Sequence, residues 1–117
     1  MKIEKFEDII VWQKAKDLSF NIYSTFGLNK DYGFKDQIQR ASVSIMNNIA
    51  EGFERKGDKE LGRFLFIAKG SCGEVRSMLY LAHELKYLSK KDFDNLYSLA
   101  VEISMMLSGF IKTLKTL

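Results

Sequence analysis

The most regular pattern of apolar and polar positions lies in the C-terminal part of the chain. From Phe93 onward, apolar residues recur at alternating three- and four-residue steps, the spacing of a helix that packs along a bundle. Ser89 and Asp92 precede this repeat as a capping box in which Asp replaces the usual Glu or Gln. The sequence therefore predicts a long helix here, whose seam is formed by Phe93, Leu96, Ala100, Ile103, Leu107, Phe110, Leu114 and Leu117.

Three upstream segments also show helical spacing. The first is residues 6–26, and a stretch rich in turn-forming residues, 27–33, ends it. The second is residues 36–56. The third is residues 59–88, with Asp58 as its predicted N-cap. Its predicted inner face consists of Phe64, Ile67, Ser71, Val75, Met78, Ala82 and Leu85.

Four helices with short connections predict an all-α protein, an antiparallel up-down-up-down four-helix bundle. The chain contains no proline, so no residue of that kind interrupts the long helices. A chain of 117 residues is long enough for one hydrophobic core. We therefore expect residues 1–117 to form a single domain.

The second helix carries a narrow row of polar side chains beside its apolar face. At about 100° per residue, the row covers an arc of only about 80°. In an antiparallel hairpin with the third helix, Arg40 would face Glu74, Ser44 would face Ser71, and Glu51 would lie near Arg63. We predict an interhelical network that fixes the register and includes an Arg40–Glu74 ion pair. The alternative is that Arg40 and Glu51 point to water. The predicted network comprises Gln37, Arg40, Ser44, Asn48, Glu51, Ser71 and Glu74.

Large apolar residues also occur away from the predicted inner faces. A helix that is apolar on several sides is usually buried on several sides, which favours a homo-oligomer. The alternative is that these side chains fold over neighbouring helices. Gly62, Gly70 and Gly73 lie inside the third helix at a cost of about 1 kcal/mol each relative to Ala, which favours close approach of another backbone. The apolar residues concerned are Ile10, Phe20, Tyr23, Leu65, Phe66, Tyr80 and Leu81.

Composition and charge narrow the class of protein. Hydrophobic residues make up 46% and charged residues 28%, which excludes a disordered chain, and no apolar run is long enough to cross a membrane. The N-terminus lacks the pattern of a signal peptide, and the single cysteine suits a reducing cytoplasm. The net charge of +3 permits contact with RNA or DNA, although a solvated basic face is the alternative. The candidate nucleic-acid contacts are Arg55, Lys56, Lys59, Arg63, Lys69 and Arg76.

Catalytic and metal-binding groups are scarce. Cys72 and His83 would lie about 16 Å apart along one helix, so they cannot form a nucleophile–base pair within the chain. A single histidine excludes the two Glu-x-x-His motifs of a di-iron bundle. The sequence therefore predicts a protein that is not an enzyme and has no metal site or cofactor.

Three motifs resemble those of the four-helix-bundle 23S rRNA-intervening-sequence protein family. They are residues 6–15, residues 37–52, and residues 64–71 followed by Glu74. The resemblance covers nearly the whole chain and implies a bacterial, cytoplasmic, non-enzymatic protein that assembles as a ring-like homopentamer. It also implies a relationship to the accessory variability determinant protein of diversity-generating retroelements, which binds nucleic acid and a reverse transcriptase. We therefore expect a homo-oligomeric, nucleic-acid-associated accessory protein, and the alternative is a protein-interaction scaffold.

Overall fold

The computed structural model describes residues 3–114, all of whose long elements are helices. A single 3₁₀ turn at Phe6–Asp8 precedes the first helix. Leu117 of the predicted seam lies outside the described residues. The four helices are α1 (Ile10–Phe26), α2 (Tyr32–Glu54), α3 (Asp58–Glu84) and α4 (Lys90–Lys112).

The helices pack as the predicted four-helix bundle, about 43 Å long and 21 Å across. Each helix contacts its neighbours in sequence, and α1 also contacts α4, so the four helices form a closed square in cross-section. Short connections make successive helices antiparallel. The core between them is filled by fully buried side chains such as Leu18 of α1, Ile45 of α2, Leu65 of α3 and Ile103 of α4.

Two helices, α2 and α3, are each followed two residues later by a lysine in the left-handed conformation. Lys86 has φ +60°, and the bonds Lys86 N–H to His83 O and Tyr87 N–H to Ala82 O form a Schellman motif. Lys56 has φ +54° just after α2. Because lysine is not the usual residue at this position, the predicted end of α3 at residue 88 is four residues too late.

The N-caps agree with the prediction at one helix and not at another. Ser89 Oγ accepts a hydrogen bond from the Asp92 N–H at 3.0 Å, which confirms the predicted cap of α4. The predicted Asp58 cap is wrong, since Gly57 occupies the N-cap position with φ +148° and Asp58 is the first helical residue. The Asp58 carboxylate therefore lies in the first turn, where its negative charge interacts favourably with the positive end of the helix dipole.

The buried face of α3 differs from the predicted one. Ile67 and Leu85 are 44% and 46% exposed, whereas Leu65, Cys72 and Leu79 are completely buried. The observed face is therefore rotated by about 65° from the predicted one, at 100° per residue. The reason is that α3 packs against α4 as well as α2, and α4 covers the side that carries Leu65 and Cys72.

Gly52 allows α2 and α3 to approach closely. A Cβ atom at this position would lie 2.7 Å from Phe64 Cβ and 3.2 Å from Leu61 Cδ1. By contrast, a Cβ at Gly70 or Gly73 would meet no atom of the described chain within 4 Å. The close approach within the subunit is thus at Gly52, and the expected backbone neighbour of Gly70 and Gly73 is not another part of residues 3–114.

Candidate functional site

The polar row of α2 contacts α3 at its centre through hydroxyl and amide groups. Ser44 Oγ and Ser71 Oγ lie 2.9 Å apart across the interface, so these two residues do face each other. Asn48 Nδ2 donates to Ser44 O at 2.8 Å and to Ser44 Oγ at 3.0 Å. These half-buried groups are satisfied by one another, as polar groups between packed helices must be.

The N-terminal part of the row does not form the predicted ion pair. Arg40 Nε instead contacts Asp36 Oδ2, one turn away on α2, at 2.8 Å. Glu74 accepts a hydrogen bond from Gln37 Nε2 at 3.3 Å. The prediction of an Arg40–Glu74 pair is therefore wrong. The Arg40 side chain is 79% exposed, so a partner on its own helix pairs with it while most of the guanidinium stays hydrated.

The C-terminal part of the row leads into a chain of alternating charges. Arg55 contacts Glu51 at 2.9 Å and Glu60 at 3.6 Å, and Glu60 in turn contacts Arg63 at 3.3 Å. The hydrogen bond from Arg63 is the main reason that the pKa of Glu60 lies below its usual value. Glu51 and Arg63 are thus connected through Arg55 and Glu60 and form no direct pair.

The candidate nucleic-acid contacts separate into two groups. The first group lies at the α2–α3 tip, where the guanidinium groups of Arg55 and Arg63 both lie about 5 Å from the Phe64 ring. It carries no net charge, because its basic residues share the tip with an equal number of carboxylates. The basic residues are Arg55, Lys56, Lys59 and Arg63, and the carboxylates are Glu51, Glu54, Asp58 and Glu60.

The second group, Lys69 and Arg76, lies on the side of α3 that faces α4. Arg76 is fixed there by its guanidinium, which lies 5.8 Å from the centre of the Tyr97 ring on α4. Lys69 precedes it by seven residues, or two helical turns, and so shares that side. Within residues 3–114, neither residue forms an ion pair with a carboxylate. The structure therefore does not bring the six candidate residues into one patch.

An aromatic cluster beside Arg76 was not predicted. Tyr80 and His83 of α3 meet Phe93 and Tyr97 of α4 with ring centroids 4.9–5.6 Å apart. Tyr80 Oη also donates a hydrogen bond to Tyr97 Oη at 3.0 Å. The sequence feature that indicates this cluster is the four- and three-residue spacing of Arg76, Tyr80 and His83, which places them on one side of α3.

The single thiol is buried between α3 and α4. Cys72 is completely inaccessible to solvent, and its Sγ donates to Ala100 O at 3.1 Å. Burial raises the pKa of Cys72 to about 11, so the thiol is protonated at neutral pH. His83 lies on the exposed surface instead, in contact with Phe93.

In the part of the chain that the structure describes, no three His, Cys, Asp or Glu side chains are grouped so that they could hold a metal ion. None of the helices between residues 3 and 114 combines enough length with enough apolar character to span a bilayer.

Comparison with known proteins gives a family and a related fold. A family model described as 23S rRNA-intervening sequence protein matches residues 7–109. A crystal structure from Bacteroides thetaiotaomicron, of a protein with unknown function in the S23 ribosomal protein family, superposes with a TM-score of 0.81. It is 24% identical, and the match covers 87% of this chain and 98% of that chain. None of the curated proteins compared with the chain matches it.

Proposed function

The chain belongs to the 23S rRNA-intervening sequence protein family, and on that premise we propose that it is a non-enzymatic, homo-oligomeric accessory protein that binds nucleic acid in the bacterial cytoplasm. The observation that carries the oligomeric part of this proposal is the outer face of α3. The nucleic-acid part rests on the family description and on the basic residues that have no carboxylate partner.

The outer face of α3 has the character of a surface that packs against another helix. Phe66, Ile67 and Leu81 are 55%, 44% and 49% exposed. Gly70 and Gly73 lie between them with open space above. Because glycine has no side chain, a second helix can approach closely between these apolar residues. Exposed apolar patches of this kind mark interaction sites.

A second apolar face lies on α1, where Phe20 is 71% exposed and Tyr23 47% exposed. Because α1 is diagonal to α3 in the bundle, these two faces point in different directions. Contact between two different faces repeats from subunit to subunit and closes a ring when the rotation allows it. The number of subunits implied by the family resemblance is five.

The assembly is tested by the mass of the protein in solution. We expect a mass five times the 13.5 kDa of the chain, and we expect Gly70→Gln to lower it towards the mass of one subunit. Glutamine favours a helix over glycine by roughly 0.5–1 kcal/mol, so the single subunit should remain folded. Gly109→Gln on α4 is the matched control, since Gly109 also has open space around it. A wild-type mass of 13.5 kDa would contradict the oligomer.

Binding of nucleic acid is proposed to depend on phosphate contacts and to be largely independent of sequence. Lys69 and Arg76 are the strongest of the candidate residues, because no carboxylate between residues 3 and 114 neutralises them. Arg55 and Arg63 are weaker candidates, since each already contacts Glu60. In an oligomer the same weak contacts recur in every subunit and together give useful avidity.

A salt titration of RNA and DNA binding tests this part of the proposal. We expect the logarithm of the binding constant to fall linearly with the logarithm of salt concentration, and Lys69→Gln to reduce that slope by about one per subunit engaged. The matched control is Lys90→Gln, because Lys90 already pairs with Asp94 at 2.9 Å. Absence of binding at low salt for both nucleic acids would favour the protein-interaction scaffold instead.

A further inference from the structure

The outer groove between α3 and α4 combines an unpaired cation, two linked phenol groups and an exposed ring. We propose that this groove binds one unstacked nucleotide of single-stranded nucleic acid, with the phosphate at Arg76 and Tyr97 and the base on Tyr80. This inference rests on the proposed nucleic-acid function and specifies which form of nucleic acid is bound. The groove is defined here as Arg76, Tyr80 and His83 of α3 with Phe93 and Tyr97 of α4.

The cation in the groove lacks a counter-ion. Arg76 forms no ion pair with any carboxylate of residues 3–114, and its Nε atom is buried without a hydrogen-bond partner. A half-buried guanidinium of this kind attracts an anion more strongly than a solvated lysine does. Lys69, two turns away on the same side of α3, adds to the positive potential. These charges favour a phosphate as the ligand.

The Tyr97 hydroxyl supplies a hydrogen-bond donor beside the Arg76 guanidinium. The Tyr97 hydroxyl accepts the hydrogen bond from Tyr80, so its own proton is free for an outside acceptor. The bond from Tyr80, and then Arg76, lower the pKa of Tyr97, which makes its hydroxyl a better donor. A phosphate oxygen could therefore accept from Tyr97 while Arg76 neutralises its charge.

The ring of Tyr80 provides a surface on which a base can stack. The side chain is 56% exposed, yet its ring is held at 5.2 Å from Tyr97 and 5.6 Å from Phe93. Phe93 and Tyr97 in turn stack on each other with an interplanar angle of 18°. A ring that is held in place by its neighbours loses little freedom when a base binds, which favours stacking.

The groove favours single strands over duplexes for a simple geometric reason. In a duplex the bases are stacked on one another, so only phosphates and groove edges are accessible to the protein. In a single strand each base can leave the stack and contact an aromatic ring. Duplex binding would therefore use the basic residues alone, whereas single-strand binding would also use Tyr80.

The experiment compares a single-stranded oligonucleotide with the duplex of the same sequence, as RNA and as DNA, by fluorescence anisotropy at low salt. We expect Tyr80→Ala to raise the Kd for the single strand about tenfold and to leave the Kd for the duplex within about twofold. A 2-aminopurine in the single strand should lose fluorescence on binding to the wild-type protein and not to the variant. Tyr97→Phe should weaken single-strand binding several-fold without removing this quenching.

The matched control is Tyr32→Ala. Tyr32 is 67% exposed and has Lys35 Nζ 5.2 Å from its ring centre, whereas no phenol or arginine of residues 3–114 contacts its ring. Equal effects of Tyr80→Ala and Tyr32→Ala would overturn the inference and leave the proposed function standing. No binding by the wild-type protein would overturn both. All comparisons are made below the melting temperature of every variant, so that each protein is folded when binding is measured.

Discussion

Gly52→Ala should lower the free energy of unfolding by about 2 kcal/mol, although alanine is the better helix former. The new Cβ would lie 2.7 Å from Phe64 Cβ, and that atom is attached directly to the backbone of α3. No side-chain rotation can move it away, so α2 and α3 must separate along their closest contact. Such overpacking costs about 1–3 kcal/mol, and we expect the upper end here because Phe64 Cβ cannot move without its backbone. Subtracting the gain in helix propensity of about 1 kcal/mol leaves a net loss of about 2 kcal/mol.

Urea denaturation of wild type, Gly52→Ala and Gly109→Ala measures this effect. Gly109 lies in the last turn of α4, and a Cβ there would meet nothing within 4 Å. Gly109→Ala should therefore raise the free energy of unfolding by up to about 1 kcal/mol. Opposite signs for the two variants are the expected result. If Gly52→Ala also stabilised the protein, the close approach of α2 and α3 would be contradicted.

The bundle was predictable because three- and four-residue apolar steps run through four segments of the chain and only short connections separate them. The helix ends were less predictable where the chain departs from the usual cap residues. Lys56 and Lys86 adopt positive φ at positions that commonly carry glycine. Tertiary contacts support the second of these turns, since Tyr87 donates a hydrogen bond to Asp31 at 2.7 Å.

The polar row shows which side-chain contacts geometry alone can predict. Ser44 and Ser71 are short, so facing positions on antiparallel helices are enough to bring their hydroxyls together. Arg40 is long and could reach either Asp36 or Glu74. The prediction chose the wrong carboxylate because it gave weight to the interhelical partner and none to the hydration of an exposed guanidinium.

The aromatic groove was missed for a different reason. The sequence pattern places Tyr80 on a general apolar surface and Arg76 on a general basic one. Their spacing puts them on one side of α3, but whether that side faces α4 depends on the rotation of α3, which the sequence pattern places about 65° away. Once that rotation is corrected, Arg76 and Tyr80 lie on the side that faces Tyr97.

That rotation can be tested directly. Leu65→Ala should lower the free energy of unfolding by about 3 kcal/mol, because Leu65 is completely buried between the helices and its truncation leaves a cavity. The original sequence pattern placed Leu65 outside the core and Leu85 inside it. Leu85→Ala is therefore the matched control, with the same change of side chain at the C-cap of the same helix.

Leu85 is 46% exposed, so its truncation removes less buried surface and leaves no closed cavity. We expect Leu85→Ala to cost less than about 1 kcal/mol. Both variants are measured by urea denaturation at several protein concentrations, because the stability of an oligomer depends on concentration. Equal costs, or a larger cost for Leu85→Ala, would mean that α3 presents the other face to the core. The groove at Arg76, Tyr80 and Tyr97 would then not exist, since the same rotation turns Arg76 and Tyr80 towards Tyr97.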